Sequence, residues 1–151
     1  ITVPLQIVEF YLILLAVTAV SSGLFWRLLG ASLVMLIFGF LGEAGLMDST
    51  IAFIPGMAGW LYILYEIFSG EAASLSSNSK NPGGQFAFNT LRIIVTAGWA
   101  IYPVGYFLGY LAGGTDMDTV NIIYNVADLV NKTAFGLAIW AGARMDSAGD
   151  K

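Results

Sequence analysis

Five apolar windows constrain this chain more than anything else in it. A helix that crosses the hydrocarbon core of a bilayer needs about 20 mostly apolar residues. Such windows run, with soft ends, over 3–20, 24–46, 51–69, 88–111 and 119–143. Of the 151 residues, 58% are hydrophobic and 11% charged, and the mean hydropathy is +0.79. Soluble domains carry about 25% charged residues, so the bilayer is the natural solvent here. The expected fold is an all-α membrane protein, one domain over 1–151, with five transmembrane helices.

The joints between the windows fit turn chemistry. "SSG" at Ser21–Gly23 and "MDST" at Met47–Thr50 are short. "SLSSNSKNPGG", Ser74–Gly84, is rich in Ser, Asn, Gly and Pro, and predicts one long loop over about 70–85. "GGTDMD" closes the fourth window, and a tail begins near 144. Arg27, Lys80, Arg92, Arg144 and Lys151 fall at one set of ends. Glu43, Asp48, Asp116 and Asp118 fall at the other. Basic loops stay inside, so the cationic ends and the C-terminus are expected in the cytoplasm.

Composition removes several chemistries. There is no Cys, hence no disulfide and no thiolate metal site, and no His, the usual zinc ligand and neutral-pH base. A formal charge of -4 excludes a basic nucleic-acid surface. The chain begins with Ile, and its first residues are apolar with no basic segment before them. That is unlike a signal peptide, and the expectation is a start inside a helix.

The costly residues lie inside the windows. A Lys at the centre of a span costs about 2.5–3.5 kcal/mol on insertion scales. Lys132 lies about a dozen residues, roughly 18 Å, from either end of the fifth window, too far to snorkel. Asn121, Asn125, Asp128 and Lys132 recur at helical spacing and make one stripe, which predicts an interior face. Val126, Val130 and Leu137 lie on the other side, suited to lipid. Three readings stay open for Lys132: a structural ion pair with Asp128, a reactive amine that condenses with an aldehyde beside a carboxylate counterion, or a station for ion transport. Glu9 stands alone in the first window. It reads either as a neutral acid bonded to a neighbouring helix or as a stored proton. Trp60, Trp99, Tyr102 and Tyr106 are candidates for an interior surface, serving packing or flanking a long, flat, apolar ligand, and Pro103 predicts a kink.

The strings "TVPLQIVEFYLIL", "GASLVMLIFGFLGEAGL", "GWLYILYE", "GWAIYPVGYFLGYL" and "NIIYNVADLVNKTAFGLAIW" touch all five windows in order. On them the chain resembles the microbial (type 1) rhodopsins, and within these the proteorhodopsins. The resemblance implies a seven-helix retinal protein of which this chain holds helices three to seven. It implies all-trans retinal as cofactor, bound to Lys132 as a protonated Schiff base, with Asp128 as part of the counterion. It implies Glu9 as cytoplasmic proton donor and Gln6 as the colour-tuning position, Gln there pointing to blue absorption. It implies a retinal pocket that includes Thr2, Met35, Trp60, Trp99 and Tyr102. Phe53 stands where antenna-binding relatives have a Gly, which argues against a carotenoid antenna. The family's primary counterion, an Asp, and its partner His would precede residue 1. The implied function is a light-driven outward proton pump, not an enzyme, in a bacterial inner membrane, with lipid, retinal and further copies of itself as partners. A photosensor signalling to a transducer, and a pump-incompetent fragment, are the alternatives.

Overall fold

Each long helix starts and stops where its sequence supplies a cap. The computed structural model describes residues 2–114 and 116–149, with the backbone alone for residues 2 and 149. Helix α1 spans Thr2–Val17. Helix α2, Ser22–Glu43, begins where the Ser21 hydroxyl accepts the Leu24 amide at 3.2 Å. It ends at Gly45, whose φ of 67° suits a residue without Cβ, and the Leu46 amide turns back to the Leu41 carbonyl at 2.9 Å. Helix α3, Ser49–Phe68, is capped by Asp48, which accepts from the Thr50 and Ile51 amides at 3.0 and 3.1 Å. Helix α7, Met117–Gly149, starts beside Asp116. The Thr119 hydroxyl and amide bond Asp116 at 2.6 and 3.0 Å and hold its carboxyl below the usual carboxylate range.

The long loop is shorter than expected. A helix, α4, occupies Glu71–Asn78, and the next, α5 (Pro82–Ile93), begins well before residue 88. The local reason is a good start signal. Asn81 accepts the Gly84 amide at 2.5 Å, and Pro82 sits in the first turn, where its missing N–H costs nothing. From α5 the chain passes through a π-helical turn, Ile94–Gly98, then α6, Ile101–Tyr106, then a second π-helical turn, Phe107–Leu111. Over the segment expected as a tail from about 144, α7 continues as helix to Gly149.

Of the five expected spans, three are long and apolar enough to cross a membrane: Ser22–Glu43, Ser49–Asn78 and Pro82–Leu111. Helix α1 is apolar but has only 16 residues. Helix α7 has 33 residues and breaks its apolar run with Asp128 and Lys132.

Short connections make neighbours antiparallel. Helix α2 packs most extensively on α3, and α5 on α7, while α1 lies against α2 and α5. Without water to drive association, close backbone approach at small residues must hold such helices together. A Cβ on Gly59 would stand 2.6 Å from the Ala31 carbonyl oxygen, and one on Gly142 would stand 2.7 Å from that of Gly83. The Asp146 side chain of α7 also accepts the Gly83 amide at 3.0 Å, tying the last helix to the start of α5.

The core is lopsided. Ile7, Phe10, Leu28, Ile63, Leu91 and Phe135 are almost wholly buried and pack into one cluster. They lie toward the end that carries Arg27 and Arg92, where the buried Glu66 accepts from Arg27 at 3.0 Å. Val126, Val130 and Leu137 are exposed, as expected of lipid-facing positions.

Gly59→Val should separate α2 from α3. Overpacking of this kind costs about 1–3 kcal/mol. Thermal unfolding in detergent should show a lower midpoint for this variant, while Gly30→Val, where a Cβ meets nothing, should leave it within error.

Candidate functional site

Lys132 and Asp128 are one turn apart on α7. The Lys132 amine donates to Asp128 Oδ2, and the Tyr102 hydroxyl donates to Asp128 Oδ1. Both carboxylate oxygens are thus occupied, one by a cation and one by a neutral donor from the neighbouring helix. The pair is less enclosed than its spacing suggests. Among the described residues, the Lys132 and Asp128 side chains are 36% and 41% exposed. The buried face of α7 runs through Val120, Ala127, Asn131, Phe135 and Ala138. Asp128 and Lys132 lie on its edge, and Asn121 and Asn125, expected to face the interior with them, are exposed. The stripe was offset by about one residue, or roughly 100° of helix.

The facing helix is irregular for a reason that its sequence states. Pro103 has no N–H for the Trp99 carbonyl, four residues back. The Tyr102 amide bonds that carbonyl instead, at 3.1 Å. This frees the carbonyl of Gly98, and Asn131 Nδ2 donates to it at 3.0 Å. One turn earlier the Trp99 amide reaches back five residues to Ile94, at 3.1 Å, which frees Val95. The Trp60 indole N–H donates to the Val95 carbonyl at 3.0 Å. Displaced carbonyls in a membrane helix need partners, and side chains of α3 and α7 supply them here. Gly98 is required at this contact, because any Cβ would overlap the Asn131 side chain. Tyr124 adds a fourth link, donating its hydroxyl to the Tyr102 carbonyl at 2.9 Å.

These bonds frame a cavity of about 380 Å³. Its apolar walls are Met35, Phe53, Trp60 and Trp99. Tyr102, Tyr106, Tyr124 and Asp128 bring polar groups to it, and Glu43 lies at its outer margin. The volume falls in the range of small-molecule sites, which are mostly apolar with a few placed polar groups. Of the residues predicted from sequence, the cavity gathers Met35, Trp60, Trp99, Tyr102 and Asp128. Lys132 does not line it directly but is bonded to Asp128, which does.

Two predicted residues stand apart. Gln6 is buried on α1, and its Nε2 has no hydrogen-bond partner among the described residues. Glu9, read as a buried acid, is exposed on the same face as Leu5 and Leu12. The buried stripe of α1 passes through Gln6, Ile7, Phe10 and Leu14, and Glu9 falls on the opposite side. The Thr2 side chain lies outside the described residues. Sequence reasoning missed Asn131 and Tyr124. Both were detectable in principle, since Tyr124 is one turn before Asp128 and Asn131 adjoins Lys132 on the buried side.

Residues 1–145 match the model of the bacteriorhodopsin-like protein family, and the chain belongs to that family. It is 53% identical to the green-light absorbing proteorhodopsin of Gamma-proteobacterium EBAC31A08 over 97% of its length. It is equally similar, at 53% over 97%, to the blue-light absorbing proteorhodopsin of Gamma-proteobacterium Hot 75m4. The chain spans 59% of the length of each of these relatives. Among solved structures, the blue light-absorbing proteorhodopsin from Med12 superposes with a TM-score of 0.79 at 56% identity, covering 96% of this chain and 63% of that one. The Exiguobacterium sibiricum rhodopsin superposes with a TM-score of 0.81 at 30% identity, covering 98% and 69%.

Asn131→Ala should leave the Gly98 carbonyl without its partner, at a cost of about 1–3 kcal/mol. Thermal unfolding should register that loss, and Asn131→Gln, with the same amide on a longer stem, should recover little of it.

Proposed function

We propose that the chain is the retinal-binding part of a light-driven outward proton pump, its five long helices corresponding to helices three to seven of a seven-helix rhodopsin. The observation that carries this reading is the Lys132–Asp128 pair at the edge of an aromatic cavity, in a chain more than half identical to proteorhodopsins. The residues present fit retinal. The cavity offers two indoles and two Met side chains for a flat polyene, and a lysine amine is held at its side by a carboxylate. Bound through an imine to Lys132, retinal would supply light absorption and an isomerisation that reorients the protonated nitrogen.

The chain's own groups then divide the work. Asp128 stabilises positive charge on the Lys132 nitrogen, and Tyr102 fixes which of its oxygens faces that nitrogen. Trp60 and Trp99 confine the ligand, each at a helix segment pinned by side-chain bonds. Gln6 presents a buried amide whose donor has no partner among the described residues, suited to shifting the colour by favouring one charge distribution along the polyene. Glu9 acts as the donor on the cationic side. Helix α1 runs toward that side, and Val3 near its start lines the cavity, so Glu9 lies further toward the cationic end. The flank of α1 and α7 that is open in this chain, with Glu9 and the Lys132–Asp128 pair on it, is where the first two helices of a longer protein would pack.

The chain, joined behind the N-terminal part of a 53%-identical proteorhodopsin, should give a visible absorption band when all-trans retinal is added. Lys132→Ala should abolish the band, and Gln6→Leu should move it to longer wavelength. Illuminated vesicles or cells should acidify the outer medium. In flash photolysis Glu9→Gln should slow reprotonation by about 10²-fold or more, the contribution of a positioned proton donor. A slow photocycle indifferent to Glu9→Gln would instead mark a photosensor, and no band at all would contradict the reading.

A further inference from the structure

The cavity extends past the space that the aromatic walls enclose, and its far margin is acidic. Glu43, the last residue of α2, lines the same cavity as Asp128. The hydroxyl-bearing Tyr102, Tyr106 and Tyr124 line the wall of that cavity as well. Tyr106 packs against Gly42, next to Glu43, so closely that a Cβ there would overlap its hydroxyl. That hydroxyl donates to the Ser49 carbonyl at 3.0 Å, which anchors the tyrosine at the cavity's outer end.

The other acids at this end are differently engaged. Asp48 spends an oxygen on the first amides of α3, and Asp116 is bonded by Thr119. Asp118 is exposed and does not line the cavity. Glu43 makes no hydrogen bond to a described residue, and it is exposed while still lining the cavity. It therefore meets both the interior and bulk water. The opposite half of the bundle is filled by the apolar cluster around Phe10, Leu28 and Phe135, and its buried acid, Glu66, is bonded to Arg27, Tyr62 and the Glu71 amide.

We propose that Glu43 is the carboxyl through which protons leave the cavity, standing between Asp128 and the outer medium. The proposal rests on the pump reading above and adds the exit to it. A proton delivered along the cavity adds to a Glu43 carboxylate oxygen, and the same carboxyl returns one proton to bulk water. Only O–H bonds form and break, and the carboxyl ends each turnover in its starting state.

The test uses the retinal-loaded protein in vesicles, with a pH dye on the outer surface and a short flash. In the parent protein a proton should appear outside. Glu43→Gln should delay that appearance roughly 10-fold or more, a conservative share of what a positioned acid–base group contributes. Glu43→Asp, which keeps a carboxyl, should restore most of the speed, and Asp118→Asn should release on the parent's timescale. Light-minus-dark infrared spectra should contain a carboxyl C=O change that disappears in Glu43→Gln, a signature that a merely structural role would not produce. Parent-like release from Glu43→Gln, or infrared spectra that Glu43→Gln leaves unchanged, would overturn the proposal while leaving the pump intact. Failure of the parent protein to release any proton on illumination would sink the pump reading and this proposal with it.

Discussion

Everything in the structure is arranged around one unfavourable charge. A lysine near the centre of a long, largely apolar helix calls for pairing, neutralisation or hydration, and Lys132 is paired with Asp128 one turn away. That pairing alone would leave the carboxylate free to rotate. Tyr102 removes the freedom by bonding its second oxygen, and Tyr102 is itself held through its backbone by Tyr124. The ion pair thus has a defined geometry although its side chains are partly exposed among the described residues. Exposed pairs add little stability, so the pair is better understood as a site than as a clamp.

The helix opposite the pair shows how a membrane protein absorbs a backbone defect. Pro103 removes one donor, and the Trp99 and Tyr102 amides before it are out of α-helical register. The carbonyls left over at Val95 and Gly98 are taken by Trp60 and Asn131, residues of two other helices. The defect is therefore converted into cross-links. It places the two indoles that wall the cavity, and it orients the buried face of α7 so that Asp128 reaches the cavity edge. The packed cluster around Phe10, Leu28 and Phe135 fills the other half with apolar side chains, and the buried Glu66 there is paired with Arg27.

Much of this was legible in the sequence. Apolar runs of the right length locate α1, α2 and α3 to within a few residues, whereas Asn81 reads as loop and α5 starts at Pro82 rather than near 88. The cost of Lys132 in hydrocarbon singles out the site, and Pro103 announces the irregular helix. Three things were not legible. The exposed position of Glu9 depends on which side of α1 finds neighbours, and an apolar helix with little amphipathic pattern does not declare it. The roles of Asn131 and Tyr124 depend on carbonyls that another helix leaves free, a tertiary fact. The helix at Glu71–Asn78 hid in a Ser-rich segment that reads as loop, because its propensity is weak and its support comes from Glu66 and Arg27, which bond Glu71.

The central claim is that Lys132, of the three lysines in the chain, is the residue that takes retinal. The direct measurement is to load the protein with retinal, reduce the imine with borohydride, digest it and find the modified peptide by mass spectrometry. The account predicts a retinyl adduct on Lys132 alone. An adduct on Lys80 or Lys151, or a visible band with no lysine adduct at all, would contradict it.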